Sequence, residues 1–396
     1  MRYRIKVIDI ISFLLFFSIV KIYAVPQAVR QAMKIIFIGI TLLFLISRIK
    51  KKTVNGGFGI SLLFVVSSLL GYISGELEIK QFLDGILHAL CIYCIYSLMA
   101  YGSEKNCYKR ILDDLYYYNL FACIISLLSI LRLGRPTDYF GTDLYYFFGS
   151  KFSTSYLFVM LVGLAYVRHY SERKKDVDRK AVLWIYIILE LFVSYWVGCT
   201  TTLIAGAFLS LSIIFSGKYI KRIQSFFSMP AVGVLSFVLP GFLAMNMTLI
   251  MNIPQVREFV MNVLHKSVGL TGRTYIYNNL LDIFKEKPII GYGYNSEIVQ
   301  RITRVGNAQN GLFQILIDFG ICGVVAVSIL VFKAFKASKG NLQFWGMKVV
   351  FFVLCICSIV EISINYYFYL SLFALLFCES YNLPRKKTTG LTILGK

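Results

Sequence analysis

Charged residues are scarce in this chain. They make up 15% of its 396 residues, whereas 58% of the residues are hydrophobic, and the mean hydropathy is +0.70. A soluble domain carries about 25% charged residues. The composition therefore excludes an ordinary soluble protein and predicts an integral membrane protein with many helical spans.

Histidine is also rare, and cysteine is absent from the longest polar segment. The 3 histidines show no metal-ligand spacing. Most of the 9 cysteines lie inside apolar runs, so no disulfide framework is expected. No nucleotide-binding motif is visible either. We therefore expect no metal site and no cofactor.

Acidic residues are outnumbered by basic ones, with 20 Asp and Glu against 41 Lys and Arg. A net charge of +21 could indicate nucleic-acid binding. The cations, however, stand in short clusters between apolar runs, as membrane topology signals do. We predict contact with the lipid bilayer and no nucleic-acid binding.

Apolar windows long enough to cross about 30 Å of hydrocarbon occur at about twelve places. The sequence thus predicts an all-α polytopic integral membrane protein of about twelve transmembrane helices, with one long extracytoplasmic loop before the tenth span. The windows are residues 5–24, 33–47, 58–73, 82–101, 111–131, 153–167, 181–197, 202–216, 229–250, 311–332, 344–361 and 363–379.

Lysine and arginine clusters mark alternate connections, which places both termini in the cytoplasm and segment 251–309 outside. No internal repeat or linker divides the chain, so residues 1–396 are predicted to form a single membrane domain. The external segment 251–309 is then the part of that domain with room for polar chemistry.

Arg273 is the first candidate in this segment. Thr271 is a plausible N-cap, apolar residues recur at helical spacing after it, and Pro288 marks a stop. Arg273 would then lie in the first helical turn, where backbone N–H groups and a guanidinium together favour a phosphate. The alternative is that Arg273 extends toward lipid headgroups or pairs with Asp282 or Glu286.

Further candidates follow along the chain. Gly291 and Gly293 allow a tight turn with close backbone approach, or an ordinary loop turn. Amides at Gln309 and Asn310 could orient a sugar or cap a helix. Other cations in external segments could assist with a diphosphate, although the aromatic residues around Arg135 also fit an interfacial belt; these cations are Arg301, Arg304 and Arg135.

The joint order of these elements resembles the O-antigen ligase and polymerase family of bacterial membrane proteins, including Wzy-type repeat-unit polymerases. In that family a Gly-Arg-Thr element and a Gly-x-Gly turn precede a His-Asn pair, a Leu-x-Gln element, an acidic residue and two glycines. The matching positions here are Gly272-Arg273-Thr274, Gly291-Tyr292-Gly293, Gln309-Asn310, Leu312-Phe313-Gln314, Asp318, Gly320 and Gly323.

This resemblance implies a metal-independent glycosyltransferase in the bacterial cytoplasmic membrane. Its substrate would be a polyprenyl-diphosphate-linked oligosaccharide repeat unit, polymerised on the outer face into a capsule or O-antigen polysaccharide. The resemblance also implies a flippase and a chain-length regulator as partners. Together with the charge and helix arguments above, it leads us to predict catalytic roles for Arg273, Gln309 and Asp318, and substrate binding by Gly272, Thr274, Gly291, Gly293, Arg301, Arg304, Asn310 and Arg135.

One position departs from the family pattern, because Gln309 replaces the ligase histidine and a neutral amide cannot act as a base. This departure favours a polymerase over a ligase. Asp318 is the preferred general base, with Glu361 as the alternative. A lipid-linked oligosaccharide flippase is the competing function, although a transporter commonly shows two related halves.

Overall fold

The computed structural model describes residues 6–20, 22–23, 25–46, 51–133, 145–171, 176–214, 218–263 and 273–382. These residues form α-helices joined by short turns, with one two-stranded antiparallel hairpin, β1 (Tyr145–Tyr146) and β2 (Gly149–Ser150). The first helices are α1 (Val7–Ile19), α2 (Gln27–Ile46), α3 (Lys51–Ile73), α4 (Ile79–Glu104), α5 (Tyr108–Leu133), α6 (Lys151–Ser171), α7 (Asp176–Trp196) and α8 (Thr200–Ile214).

The second half of the chain contains shorter helices between the long apolar ones. They are α9 (Lys218–Phe227), α10 (Pro230–Met245), α11 (Met247–Met251), α12 (Pro254–Glu258), α13 (Arg273–Glu286), α14 (Ile298–Thr303), α15 (Gly311–Ala337), α16 (Trp345–Cys357) and α17 (Tyr366–Leu376). A π-helical turn follows α12, and 3₁₀ turns precede α16 and follow α17.

The all-α architecture is confirmed, and each predicted span overlaps a helix. Among the described residues, 4 helices are long and apolar enough to cross a membrane, namely α2, α4, α5 and α15. The number is 5 if α9 and α10, which meet at an angle of 67° before Pro230, form one broken span. The other described helices are not both long and apolar enough by this measure, so the count of about twelve spans stays a prediction.

Helix α15 lies at the centre of the packing. It contacts α10, α17 and α3, while α16 packs against α6 and α8. In contrast, α2 lies at the periphery, since only 17% of its apolar window is buried. An apolar helix with so much exposed surface is suited to hydrocarbon.

The segment between α10 and α15 has a small hydrophobic core of its own. Ile276, Tyr277, Leu280 and Ile283 form the buried face of α13. They join one cluster with Met247 and Met251 of α11 and Phe313 and Ile317 of α15. The described part of segment 251–309 is thus packed onto the start of α15.

A break in α15 receives a loop from this segment. Gly320 has φ 63° and ψ −164°, which is not helical. The N–H groups of Tyr292 and Gly293 donate to the carbonyls of Ile317 and Asp318, at 2.8 and 2.9 Å. Beyond the break, the N–H of Ile321 donates to the Pro288 carbonyl at 2.8 Å. The loop therefore satisfies backbone groups that the break leaves without helical partners.

Candidate active site

Arg273 is the first residue of α13, as the sequence predicted, and the helix ends at Glu286 before Pro288. Its side chain is half-buried. The Nε atom donates to the Val360 carbonyl at 2.9 Å, and Nη2 donates to Oε1 of Gln309 at 3.3 Å. These contacts fix the plane of the guanidinium between the start of α15 and the turn after α16.

Gln309 is held in an unusual backbone conformation, with φ 49°. Asn307 stabilises it, because Oδ1 of Asn307 accepts from the backbone N–H of Gln309 at 2.9 Å and from its Nε2 at 3.0 Å. The amide oxygen of Gln309 is thereby directed toward Arg273. The structure thus brings together two residues that are 36 positions apart in sequence.

Tyr277 ties this pair to the turn after α16. Its hydroxyl lies 2.9 Å from the carbonyl oxygens of both Gln309 and Ile359. Burial raises the pKa of the Tyr277 hydroxyl well above its usual value; the charge of Arg273 lowers it and that of Glu361 raises it further. The hydroxyl therefore stays protonated and remains a hydrogen-bond donor.

Asn310 caps α15 and is completely buried. Its Oδ1 accepts from the N–H of Phe313 at 3.0 Å, and its Nδ2 donates to the carbonyls of Pro240 and Ile359, at 3.0 and 3.2 Å. These bonds join α10, α15 and the turn after α16. They show a structural role, and sugar binding by Asn310 remains a prediction.

Asp318 lies two turns further along α15 and is buried. Nε2 of Gln314 donates to its Oδ1 at 2.9 Å, and the backbone of Asn295 makes a further hydrogen bond to its carboxyl group. Oε1 of Gln314 in turn accepts from the N–H of Ala308 at 3.1 Å. Asp318 thus supports the backbone next to Gln309 through Gln314.

The two glycines of the Gly-x-Gly turn lie at the break in α15. Gly291 has φ 78°, and a Cβ atom there would lie 2.5 Å from the Ile317 carbonyl oxygen. Gly293 has φ 93° and donates its N–H to the Asp318 carbonyl. The described hydrogen bonds of both glycines are with protein backbone, so a direct part in substrate binding remains a prediction.

The remaining predicted residues are dispersed. Thr274 follows Arg273 in α13 and is half-buried. Nη1 of Arg301 lies 3.8 Å from Oε2 of Glu76, and exposed Arg304 ends α14 with φ 61°. Gly272 and Arg135 lie outside the described residues, as does the proposed N-cap Thr271.

The sequence indicated some contributors to the site only in part. The sequence marked Tyr277 only as an apolar helix position, and Gln314 only as part of a motif. Glu361 follows Val360, which accepts the bond from Arg273, and its charge acts on Tyr277. The charges of this half-buried carboxylate and of Arg273 thus both act on the Tyr277 hydroxyl. The position of Glu361 in a turn between two apolar helices was the available signal.

Part of the chain, including the Arg273–Gln309 pair, is similar in sequence to a known family. Residues 185–328 match the sequence model of a family described as O-Antigen ligase (Wzy_C). This match extends from α7 into α15 and includes Arg273, Gln309, Asp318 and Gly320. It confirms the predicted resemblance to the O-antigen ligase and polymerase family.

The apolar helices are those of a multi-pass membrane protein. Residues 185–328 are similar to a family of O-antigen ligase or polymerase-type membrane enzymes that act on polysaccharide. No sequence in a search of curated proteins matches the chain.

Proposed function

We propose that the chain polymerises polyprenyl-diphosphate-linked oligosaccharide repeat units on the outer face of the bacterial cytoplasmic membrane. The observation that carries the proposal is the guanidinium of Arg273, which hydrogen bonds to Val360 and Gln309 orient next to the start of α15. A planar cation is suited to two oxygens of a diphosphate, whose charge grows as the sugar leaves it.

The reaction exchanges one bond at the anomeric carbon. The bond from this carbon to the diphosphate oxygen breaks, and its electron pair stays on the diphosphate beside Arg273. A hydroxyl oxygen of the acceptor saccharide forms the new bond to the same carbon. The proton of this hydroxyl passes to a carboxylate, for which we propose Glu361.

Glu361 fits the role of general base better than Asp318. The Asp318 carboxyl group is buried and bonded to Gln314 and Asn295, whereas Glu361 lies half-buried beside the turn that accepts from Arg273. A base must reach the hydroxyl that it deprotonates. We therefore propose that Asp318 positions the backbone near Gln309 and that Glu361 is the general base.

Gln309 supports polymerase activity over ligase activity. Its amide groups interact with Arg273 and Asn307, and an amide cannot accept a proton near neutral pH. Gln309 thus orients the guanidinium and leaves proton transfer to another group. We propose a flippase and a chain-length regulator as partners in the same pathway.

The test is a polymerisation assay with purified protein in detergent and the matching diphospholipid-linked repeat unit. A ladder of longer saccharides is expected without nucleotide sugar, with a metal chelator present and without an ion gradient. Transfer only to a different lipid acceptor would indicate a ligase. Failure to form a ladder with folded protein, together with movement of the substrate across vesicles, would indicate a flippase.

Arg273→Lys should abolish or sharply reduce the ladder although the charge is kept. A compact ammonium cannot donate to Val360, Gln309 and a diphosphate with the planar geometry of a guanidinium. Lys285→Gln is the matched control, because Lys285 is an exposed cation on the same helix that pairs with Asp282. Wild-type polymer from Arg273→Lys would remove Arg273 from the active site.

A further inference from the structure

A cavity of about 320 Å³ lies between the end of α1, the start of α2, and residues of α4 and α17. Tyr294 and Asn295, from the loop that enters the break in α15, complete the lining of this cavity. Apart from these two residues, the lining lies outside the segment 185–328 that matches the family. The cavity is thus a feature of the chain that the family match does not explain.

Two cations of α2 line this cavity. Arg30 and Lys34 are four residues apart, so they share one face of the helix. The Cζ atom of Arg30 lies 4.4 Å from the centre of the Tyr23 ring, and Nζ of Lys34 donates to the Tyr366 hydroxyl at 2.9 Å. Both aromatic residues also line the cavity, so ordered contacts hold the two cations at its wall.

The position of Lys34 indicates a functional group. Lys34 lies within a helix that is apolar and long enough to cross a membrane. An ionisable side chain at such a position is costly and commonly marks a ligand pathway. Asp84 of α4 is the carboxylate in the lining, so cations outnumber it. This balance favours an anionic ligand.

The other lining residues indicate that the ligand is also apolar. Phe17, Ile19 and Leu87 contribute hydrophobic surface next to the cations. Helix α2, which forms one wall, is mostly exposed on its outer side. A ligand with an anionic head and a hydrocarbon tail matches both features.

Hydrogen bonds connect the cavity to the candidate active site. Asn295 lines the cavity, and its backbone bonds the Asp318 carboxyl group. Asp318 accepts from Gln314, which accepts from the N–H of Ala308, the residue before Gln309. The loop that carries Asn295 and the start of α15 thus position residues of both the cavity and the candidate active site.

We propose that this cavity binds the diphosphate and adjoining lipid of a second polyprenyl-diphosphate-linked saccharide. Arg30 and Lys34 contact the diphosphate while Arg273 holds the diphosphate of the donor. That this second molecule is the acceptor rests on the polymerase function proposed above. Such a site distinguishes a polymerase, whose two substrates carry the same lipid, from a ligase.

Binding of radiolabelled polyprenyl diphosphate without sugar tests the proposal independently of catalysis. The full chain is placed in phosphatidylcholine nanodiscs, and the binding capacity per chain is measured. Wild-type protein should bind two equivalents. Arg30→Gln with Lys34→Gln should lose one equivalent, Arg273→Gln should lose the other, and Lys285→Gln should lose neither. Thermal unfolding identifies any variant that is not folded.

Competition identifies the source of the phosphate. Inorganic pyrophosphate and phosphatidylglycerol should each displace the cavity ligand at least about tenfold less well than unlabelled polyprenyl diphosphate. Equal displacement by pyrophosphate would overturn the lipid part of the proposal, and equal displacement by phosphatidylglycerol would overturn its selectivity.

Two results separate this inference from the proposed function. An unchanged binding capacity in the folded Arg30→Gln, Lys34→Gln variant would overturn the cavity site, even if wild-type protein forms the polymer ladder. Loss of one equivalent in that variant, with no ladder from wild-type protein and authentic substrate, would support the site and overturn the polymerase.

Discussion

Gln309 stands where the resembling ligases have histidine, and its contacts define what an amide does at this position. It accepts from Arg273 and donates to Oδ1 of Asn307, so it couples the cation to the Asn307 side chain in the turn before α15. The Gln309 side chain thus fixes the direction of the Arg273 guanidinium.

Gln309→Ala should reduce the initial polymerisation rate by roughly ten- to a hundredfold. The variant loses a hydrogen bond to a charged group, worth about 1.5–3 kcal/mol, and the rate follows the lost orientation of Arg273. Gln309→His should retain part of the activity, since imidazole can still accept a hydrogen bond. A wild-type rate for Gln309→Ala would show that the amide does not contribute.

Glu361→Gln should lower the rate by about 10²–10⁴-fold, the usual contribution of a general base. Asp318→Asn keeps an oxygen that accepts from Gln314 and should retain much more activity. Asp282→Asn, at an exposed carboxylate of α13, serves as the control. The measurement is the initial rate in detergent at saturating substrate. The opposite ranking of Glu361→Gln and Asp318→Asn would return the base assignment to Asp318.

At the scale of secondary-structure elements, the broken helix α15 and the loop that enters its break determine the geometry of the candidate active site. Their contact requires a residue without a side chain at Gly320, because a Cβ atom there would lie 2.3 Å from the Ile289 carbonyl carbon. The backbone angles of Gly320 also fall in a region that other residues rarely adopt.

Gly320→Ala should therefore destabilise the protein by at least about 1–3 kcal/mol from backbone strain alone, with the clash adding to this cost. Gly39→Ala is the matched control, since Gly39 lies in apolar helix α2 and a Cβ atom added there would have no atom within 4 Å. Thermal unfolding in detergent measures both variants. Equal melting temperatures would show that the loop does not depend on Gly320.

At the scale of the whole molecule, the mechanism requires α13 to face outward. Asn278 on α13 is exposed, and Lys339 is exposed after α15, at its opposite end. Single cysteines at these two positions, in a background without the 9 native cysteines, should differ in intact cells. Asn278→Cys should react with a membrane-impermeant maleimide, whereas Lys339→Cys should react only after permeabilisation. The reverse pattern would invert the predicted topology.

The sequence predicted the parts of this fold that depend on local pattern. Apolar run length located the helices, and a polar start with Pro288 after the end located α13. The contact of Arg273 with Gln309 depends on how the chain returns through α14, which no local pattern reports. The break at Gly320 was equally hidden, because glycine is common in unbroken membrane helices. Lys34 inside an apolar window was the visible sign of the cavity.

The loop inserted into α15 also imposes an order of events during biosynthesis. The loop leaves the ribosome before α15 does, yet its backbone partners lie in that helix. Until the two meet, a break in α15 would place unpaired N–H and C=O groups in hydrocarbon, at several kcal/mol each. We therefore expect helix α15 to enter the membrane unbroken and to be remodelled once the loop docks. We also expect completion of the candidate active site to be a separate step, later than membrane insertion.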